Sequence, residues 1–421
     1  MNRQAAWSLP IVAALVSCTR AEAPAPPARS SEPASRATAQ TMHQRAATAS
    51  PPDQQAPSAL VFPEHQRVAV GAGHSCYVNM RGRLWCWGGN SSGAIGNGTH
   101  AWRGRSEDTD ESALYVKEPY SGYQLPAIRS VGAAGGRTCV VTKEGDPWCW
   151  GMDENAAGGL SDVLRPRTLP GKAVAVSGCA CALLEDRTLW CWTDRGRRRT
   201  LDPSLPNYVR AQRVKAVGNQ VLRVASAAGS TCVIKQDRSV WCWGDNDYGK
   251  LTREKPKFSS VPLATPVRGV DLITAGMDHF CAASKEGAIW CWGQAIYGQL
   301  GNGKRPYQPG APPVATKLDV TLVQLASTFA SSHALDSNGR VWSWGSNLHS
   351  TLGLPSAQDI ESPTRIDSID HVVQLAEGET HICALRSDET VWCWGRGRDF
   401  QLGNGKDVDS RVPVQVKFPA P

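Results

Sequence analysis

The sequence predicts an all-β protein built from seven copies of one supersecondary unit. A Trp-x-Trp motif recurs about every 50 residues, and in six units a Cys-x9-Cys pair ends on the residue between the two tryptophans. A period of this length is typical of solenoids and propellers, in which each unit buries its apolar face against the next one. The motifs are Trp85/Trp87, Trp148/Trp150, Trp190/Trp192, Trp241/Trp243, Trp290/Trp292, Trp342/Trp344 and Trp392/Trp394.

The spacing within one unit predicts a tight β-hairpin. Neighbouring strand residues face opposite sides, so the two tryptophans share one face and the cysteine between them points to the other. If the two cysteines of a unit are opposed, the loop has three residues, and its third position favours a left-handed residue such as Gly. That position is Gly82, Gly145, Gly287 or Gly339 in four units and Arg187, Arg238 or Glu389 in the others. The last three hairpins must accept a strained residue or use another turn.

The cysteine pairs predict six disulfides, each inside one hairpin, because directly opposed strand residues lie within disulfide reach. The pairs are Cys76/Cys86, Cys139/Cys149, Cys181/Cys191, Cys232/Cys242, Cys281/Cys291 and Cys383/Cys393. In the sixth unit both positions change together, to His333 and Ser343, which suggests that they depend on each other. Zinc binding is the competing interpretation, but structural zinc sites favour Cys-x2-4-Cys spacing, which this sequence lacks.

The N-terminus predicts export. An apolar run from Ala5 to Val16 follows Arg3; it is too short to span a bilayer and is typical of a secretory signal. It ends in Leu-Val-Ser-Cys18, which resembles the bacterial lipobox and implies a signal peptide at 1–17 and a lipid on Cys18. An ordinary signal peptide with a chance cysteine is the alternative. Either interpretation places the protein in the cell envelope or beyond, where disulfides persist; with a lipid anchor in a Gram-negative cell, that is the outer membrane.

Composition divides the rest of the chain in two. Residues 18–59 are rich in Ala, Pro and Ser and predict a disordered tether, whereas 60–418 form one folded domain. The formal net charge of +7 is mild, so we expect no nucleic-acid partner.

A second motif follows the tryptophans and identifies a family resemblance. Taken together, Gly-x-x-His-x-Cys, Trp-Cys-Trp-Gly and Asn-x-x-Gly-Gln-Leu-Gly resemble the regulator-of-chromosome-condensation repeat. They are carried by His74, His279 and His381, and by the segments 90–98, 298–303 and 401–405. The resemblance implies a seven-bladed β-propeller whose blades are four-stranded antiparallel sheets. Proteins with this repeat include a guanine nucleotide exchange factor and secreted inhibitors of β-lactamases.

The C-terminal tail is expected to close the ring. Residues 411–417 alternate Val412, Val414 and Val416 with polar residues, a pattern typical of a half-buried strand. The first unit begins close to Cys76 and has no obvious strand before it. We therefore expect the tail to pair with blade one, which leaves no long open sheet edge.

The repeated histidines and tryptophans are expected to be structural. Arg137, Cys179 and Ser230 occupy the histidine position in other units, which a shared metal site would not tolerate. We expect each His to hydrogen-bond within its own blade, and the tryptophans to pack between blades. No catalytic motif is found, so we expect neither an enzyme nor a metal or cofactor. Cys179 has no partner and is expected to be a buried free thiol.

Two loops carry the predicted contact residues. The insertion at 99–126 contains Trp102 beside Arg103 and Arg105, the composition of an interface hot spot. The segment after the third Trp pair contains Arg195, Arg197, Arg198 and Arg199, which suit an anionic or acidic partner. We expect a monomeric lipoprotein whose propeller binds an unidentified protein through loops on one face. A secreted-type enzyme inhibitor or an enzyme acting at the pore mouth is the alternative, and nucleotide exchange is disfavoured because its partner would be cytosolic.

Replacing the lipobox cysteine tests the anchor. Cys18→Ala should release the protein from membranes and abolish metabolic labelling with fatty acid, because the lipidated residue is then missing. Cell fractionation with labelling measures both effects. Unchanged membrane association would contradict the anchor.

Overall fold

The computed structural model describes residues 66–98, 115–152, 160–166, 169–177, 181–191, 212–227, 229–251, 257–305 and 311–419. These residues form seven four-stranded antiparallel sheets, and the fold is the predicted all-β seven-bladed propeller. Within these ranges no helix is long and apolar enough to cross a membrane.

Blades one to four follow one another along the chain. Blade one contains β1 (Val68–Val70), β2 (His74–Val78), β3 (Leu84–Gly89) and β4 (Tyr115–Tyr120). Blade two contains β5 (Ile128–Ala134), β6 (Arg137–Thr142), β7 (Pro147–Met152) and β8 (Leu160–Pro166). Blade three contains β9 (Ala173–Ser177), β10 (Cys181–Leu184), β11 (Leu189–Cys191) and β12 (Gln212–Arg213). Blade four contains β13 (Val221–Ala227), β14 (Ser230–Lys235), β15 (Ser239–Asp245) and β16 (Phe258–Arg268).

The remaining three blades complete the ring. Blade five contains β17 (Leu272–Ala275), β18 (His279–Ala283), β19 (Ala288–Gly293) and β20 (Ala311–Lys317). Blade six contains β21 (Leu322–Ser327), β22 (Ser331–Asp336), β23 (Val341–Gly345) and β24 (Ile360–Arg365). Blade seven contains β25 (Val372–Glu377), β26 (His381–Arg386), β27 (Val391–Gly395) and β28 (Ser410–Gln415). Short 3-10 turns lie at Lys215–Val217, Asp247–Gly249 and Leu348–Ser350.

Strand order gives the propeller two different faces. Each sheet keeps the chain order of its strands, so connections alternate between the two ends of a blade. We call one end the loop face. It carries the connections between first and second strands, such as 71–73, 276–278, 328–330 and 378–380. It also carries all connections between third and fourth strands. We call the other end the hairpin face; it carries the tight turns between second and third strands, such as 79–83 and 387–390.

The hairpins have the predicted register and loop. Cys76 pairs with Cys86, and Asn79 donates its N–H to the Arg83 carbonyl at 3.0 Å, which leaves a three-residue loop ending at Gly82. Arg187, Arg238 and Glu389 also adopt positive φ, at 63°, 59° and 66°. The three units without Gly therefore accept the strained residue and keep the same turn.

Disulfides join the second and third strands in the blades that carry a cysteine pair. The structure has bonds at Cys76–Cys86, Cys139–Cys149, Cys232–Cys242, Cys281–Cys291 and Cys383–Cys393. In blade three, Cys181 lies opposite Cys191 in the strand register, and Cys181 is disulfide-bonded. In blade six, Ser343 lies opposite His333 and donates to the Leu352 carbonyl at 2.8 Å instead.

Among the described residues, a short segment of five blades contacts the following blade. We call it the latch: residues 94–96, 250–251, 299–301, 351–353 and 401–403. The indole N–H of the second tryptophan in the following blade donates to the first latch carbonyl at 2.8–2.9 Å. The pairs are Trp150 to Ala94, Trp292 to Lys250, Trp344 to Gln299, Trp394 to Thr351 and Trp87 to Gln401. These indoles are buried, so the protein core lies between blades, as predicted for the tryptophans.

The ring closes differently from the prediction. β28 pairs with β27, with Val414 opposite Cys393, so the tail completes blade seven and the predicted pairing with blade one is wrong. The reason is that blade one has its own first strand, β1, whose three residues gave no readable pattern. The two blades meet side by side instead, through the latch on Trp87 and through Gln374. The Gln374 amide oxygen accepts the N–H of Arg67 at 2.7 Å and of Val68 at 3.1 Å.

The end of the tail still reaches blade one. Phe418 packs on Tyr77, Trp85 and Trp87 with ring centroids 5.4–5.9 Å apart. The tail therefore seals the joint between the first and last blades by aromatic contact, without adding a strand.

Two neighbouring glycines test the closing latch. Gly403 and Gly405 both have positive φ, but a Cβ on Gly403 would lie 2.6 Å from the Trp87 indole nitrogen, whereas one on Gly405 would meet nothing within 4 Å. Both Gly→Ala changes should cost about 1 kcal/mol for the backbone, and Gly403→Ala should cost a further ~1–3 kcal/mol for overpacking. Chemical denaturation with the disulfides intact measures the difference. Equal losses of stability would contradict the proposed closure.

Candidate functional site

The predicted contact residues lie outside the described part of the chain. These are Trp102, Arg103, Arg105, Arg195, Arg197, Arg198 and Arg199, together with Cys18 and Cys179. The strands that flank the two segments are described: β3 and β4 on either side of the insertion, β11 and β12 on either side of the arginine-rich segment. Both pairs are third and fourth strands, so all these flanking ends lie on the loop face.

The repeated histidines connect neighbouring blades. The Nε2 atoms of His74, His279 and His381 lie 2.8 Å from hydroxyl oxygens of the next blade, those of Thr138, Ser332 and Ser75. Each hydroxyl donates its proton to a latch carbonyl, of Ala94, Gln299 or Gln401, at 2.8–3.0 Å. Because the hydroxyl proton is used there, Nε2 must be the donor to the hydroxyl oxygen. The expectation of a bond within the same blade is wrong, since the partner belongs to the following blade.

Burial keeps these histidines neutral. It lowers the pKa of His74 to about 4 and those of His279 and His381 to about 3, with a nearby histidine as a second cause for the last two. Burial likewise lowers the pKa of His333 to about 4. Within the described residues, no group of three or more His, Cys, Asp or Glu is arranged to hold a metal ion. The histidines are thus part of the joints between blades.

The first strands of all seven blades surround a central channel. Its cavity is about 320 Å³ and its wall is mostly Ala, Gly, Val, Ser and Thr. Among the described residues that line it, three are charged: Arg223, Glu377 and Glu379. The channel therefore combines an apolar wall with a few polar groups, which is the usual composition of a ligand site.

The two carboxyl groups lie where the channel opens on the loop face. Glu377 ends β25, and the hydroxyl of Thr274 in blade five donates to its Oε1 at 3.5 Å. Burial raises the pKa of Glu377 to about 7, and it also raises the pKa of Glu379. Both side chains are partly accessible from the channel. Because their pKa values are raised, each carboxyl group ionises less readily than it would in water.

Apolar side chains flank the same opening. Met277, Phe329 and Glu379 occupy equivalent positions in blades five, six and seven, and Phe329 is 40% exposed. Their backbones are tied in series, since Met277 donates its N–H to the Phe329 carbonyl and Phe329 to the Glu379 carbonyl, each at 3.1 Å. We call the opening formed by Thr274, Met277, Ser327, Phe329, Glu377 and Glu379 the acidic mouth.

Arg223 lies deeper, toward the hairpin face. It follows an irregularity in β13 and pairs with Ile234, close to the hairpin, whereas Glu377 pairs with Ile382, close to the loop face. Burial lowers its pKa to about 10, against the opposing effect of Asp271, so the guanidinium stays charged at neutral pH. The channel is therefore acidic at one end and carries a cation farther along.

Sequence reasoning missed all three charged residues, although the repeat held a signal. Counted back six positions from the first cysteine of each unit, or from His333, the residues are Val70, Ala133, Ala175, Ser226, Ala275, Ser327 and Glu377. Six are small or apolar and one is an acid. A search for the unit that differs from the others at this position would therefore have identified Glu377 in blade seven.

The buried histidines predict a loss of stability in acid. Their folded pKa values lie below the unfolded value near 6.5, so their stabilising effect is complete above pH 6.5 and disappears as pH falls toward 4. Each could contribute on the order of a few kcal/mol. Glu377 acts in the opposite sense, because its raised pKa reduces stability as pH rises from 4.5 to 7.

Denaturation midpoints between pH 7 and 4.5 measure the effect. His381→Gln should flatten the fall in stability below pH 6.5, whereas Val373→Ala, a change at an exposed residue that does not titrate, should leave the slope unchanged. A wild-type protein equally stable at pH 7 and 4.5 would contradict the neutral, buried histidines.

Comparison with known protein families finds the repeat that the sequence motifs resemble. The family described as regulator of chromosome condensation (RCC1) repeat matches residues 338–385 and 388–421, and a second form of the same repeat matches 66–94, 223–250 and 372–401. These segments belong to blades one, four, six and seven. The repeat is thus matched in these four blades, which agrees with the resemblance drawn from the motifs.

Two curated relatives cover most of the chain. The ultraviolet-B receptor UVR8 of Arabidopsis thaliana is 25% identical over 361 residues, which span 84% of this chain and 70% of that protein. The regulator of chromosome condensation of Mus musculus is 25% identical over 342 residues, which span 73% of this chain and 81% of that protein.

Solved structures show the same fold. Prp20p of Saccharomyces cerevisiae has a TM-score of 0.69 at 20% identity and covers 81% of this chain and 87% of its own. Human WBSCR16 has a TM-score of 0.67 at 20% identity and covers 80% of this chain and 94% of its own.

Proposed function

We propose that this chain of RCC1 repeats is a non-catalytic scaffold that binds a protein partner through its loop face, held at the cell envelope by a lipid on Cys18. The observation that carries the proposal is the contrast between the repeat residues and the loop face. The repeated Trp, His and Leu-Gly residues lie in the joints between blades, where Trp87, His381 and Ser75 form hydrogen bonds from one blade to the next. These residues are therefore not available to bind a partner.

The loop face is where the blades differ from one another. It carries the acidic mouth, with Phe329 exposed, and the strand ends that flank the two predicted contact segments. The hairpin face carries seven near-identical tight turns. An apolar anchor beside charged groups is the usual composition of an interface centre, which favours the loop face as the binding surface.

One protein with the same fold is described as binding other proteins. Prp20p was described together with its binding properties to Gsp1p and histones, and yeast RCC1 (Prp20) was solved bound to Kap60. We carry over only the general role of a binding propeller. Nucleotide exchange remains disfavoured because a signal peptide would separate this chain from a cytosolic GTPase.

The disulfides support an extracytoplasmic location. Five blades carry a buried disulfide among the described residues, and such bonds persist in oxidising compartments. Together with the lipobox at Cys18 and the tether at 18–59, they favour a propeller displayed from a membrane.

A second candidate is an enzyme acting at the pore mouth. Glu377 favours it, because a partly buried carboxyl with a pKa near 7 suits a general acid or base. A turnover screen against envelope substrates would decide, since activity lost in Glu377→Gln but kept in Glu286→Gln would support the enzyme over the scaffold.

Site-specific photo-cross-linking tests the scaffold. A photoreactive amino acid replaces Phe329 on the loop face or, as a control, Met80 on the hairpin face, where the side chain is 71% exposed. In intact cells the Phe329 position should give one discrete cross-linked protein, because it lies beside the proposed contact surface. The Met80 position should not give that product.

Cross-linked partners are identified by mass spectrometry. The same product from both positions would mean that contact is not specific to the loop face. No product from Phe329, with the protein folded and correctly located, would contradict the scaffold.

A further inference from the structure

We propose that the acidic mouth is a pocket for one alkylammonium group, the side chain of a lysine that the partner protein inserts into the channel. This inference rests on the proposed function and gives the partner a chemical signature: a protruding lysine, with the apolar stem against the mouth and the ammonium group inside it.

An unpartnered buried hydroxyl marks the pocket. Ser327 lines the channel and is 3% exposed, and within the described part of the chain its Oγ has no hydrogen-bond partner. Buried polar atoms are almost always hydrogen-bonded, so an unpaired one facing a cavity points to a group that is bound there. Ser327 occupies in blade six the position that Glu377 occupies in blade seven.

The carboxyl beside it lacks a cation. Thr274, 2% exposed, donates its hydroxyl to Glu377, and no described Lys, Arg or His pairs with this carboxyl. Glu379 stands at the same opening under the same desolvation. An ammonium group would neutralise the carboxylate and donate to the Ser327 oxygen, which satisfies both groups at once.

The surrounding residues favour an alkyl stem and limit how far the ammonium group enters the channel. Met277 and Phe329 flank the opening; thioether and aromatic groups pack on methylenes, and an aromatic face attracts a cation. Arg223, farther toward the hairpin face, repels a cation and so favours its stopping at the mouth. A cavity of about 320 Å³ is large enough for one lysine side chain.

Binding should depend on pH in a defined direction. The ionised form of Glu377 is the one that binds the ammonium, so affinity should rise from pH 6 to pH 8. Glu379 acts in the same sense, because its pKa is also raised, and Arg223 stays charged throughout this range.

The experiment uses n-butylammonium as the probe and the uncharged n-butanol as its control, with the full-length protein. The ¹³C-labelled methyl group of Met277 reports binding by NMR titration. We expect saturable binding of butylammonium at one site, stronger at pH 8 than at pH 6, and much weaker binding of butanol. Glu377→Gln should weaken butylammonium binding about tenfold or more, because it removes the negative charge that attracts the ammonium group. Ser327→Ala should weaken it several-fold, because it removes one hydrogen-bond acceptor.

Glu286→Gln is the matched control, since Glu286 lies on the hairpin face and is fully exposed. It should leave binding unchanged. Equal affinity for butanol and butylammonium, or unchanged binding in a folded Glu377→Gln variant, would overturn the pocket. Calcium chloride titrated in place of the amine is a further arm, and a calcium site at Glu377 that excludes butylammonium would also overturn it.

Cross-linking separates this inference from the proposed function. If Glu377→Gln abolishes the cross-link from position 329, both stand. If the cross-link persists in that variant at full yield, the scaffold stands and the lysine pocket fails. If wild type gives no cross-link at all, the scaffold itself fails.

Discussion

The hydrogen bond from a buried indole to a latch carbonyl is the interaction on which the rest of the molecule depends. The carbonyl of Gln401 accepts two protons, one from Trp87 and one from Ser75, and Ser75 in turn accepts from His381. Four residues outside the channel, Gln401, Trp87, Ser75 and His381, thus connect the neighbouring sheets. The same arrangement recurs at Ala94 and at Gln299, so two further joints among the described residues use the same repeated Trp, His and hydroxyl positions.

The joint between blades seven and one has a second role, because blade seven carries Glu377 and Glu379. The other side of blade seven is held to blade six by Gln324. The Gln324 side-chain amide donates to the Leu375 carbonyl at 2.7 Å and accepts the Leu375 N–H at 2.8 Å. The acidic mouth is therefore supported by blade joints on both sides, and the connections that contribute Met277, Phe329 and Glu379 are hydrogen-bonded to one another. A preorganised opening of this kind loses little entropy when it orders around an inserted side chain.

Sequence alone could predict the fold because each unit repeats the same constraints. The hairpin register followed from the spacing of Cys76 and Cys86, and the blade joints from the periodic tryptophans. The closure could not be predicted, since β1 is a three-residue strand whose role depends on packing between ends of the chain. The acidic mouth was also missed, because Thr274 and Glu377 are 103 residues apart and meet only across the channel. The departure of Glu377 from its six counterparts was visible in the sequence, but its meaning required the ring.

The central claim is that the latch on Trp87 holds the first and last blades together and thereby shapes the mouth. Hydrogen exchange of the Trp87 indole N–H, followed by NMR, tests this most directly. The account predicts that this proton exchanges only with global unfolding, while the indole proton of the half-buried Trp85 in the same blade exchanges much faster. Exchange of the Trp87 proton at the rate of Trp85 would show that the joint opens locally, and would contradict the account.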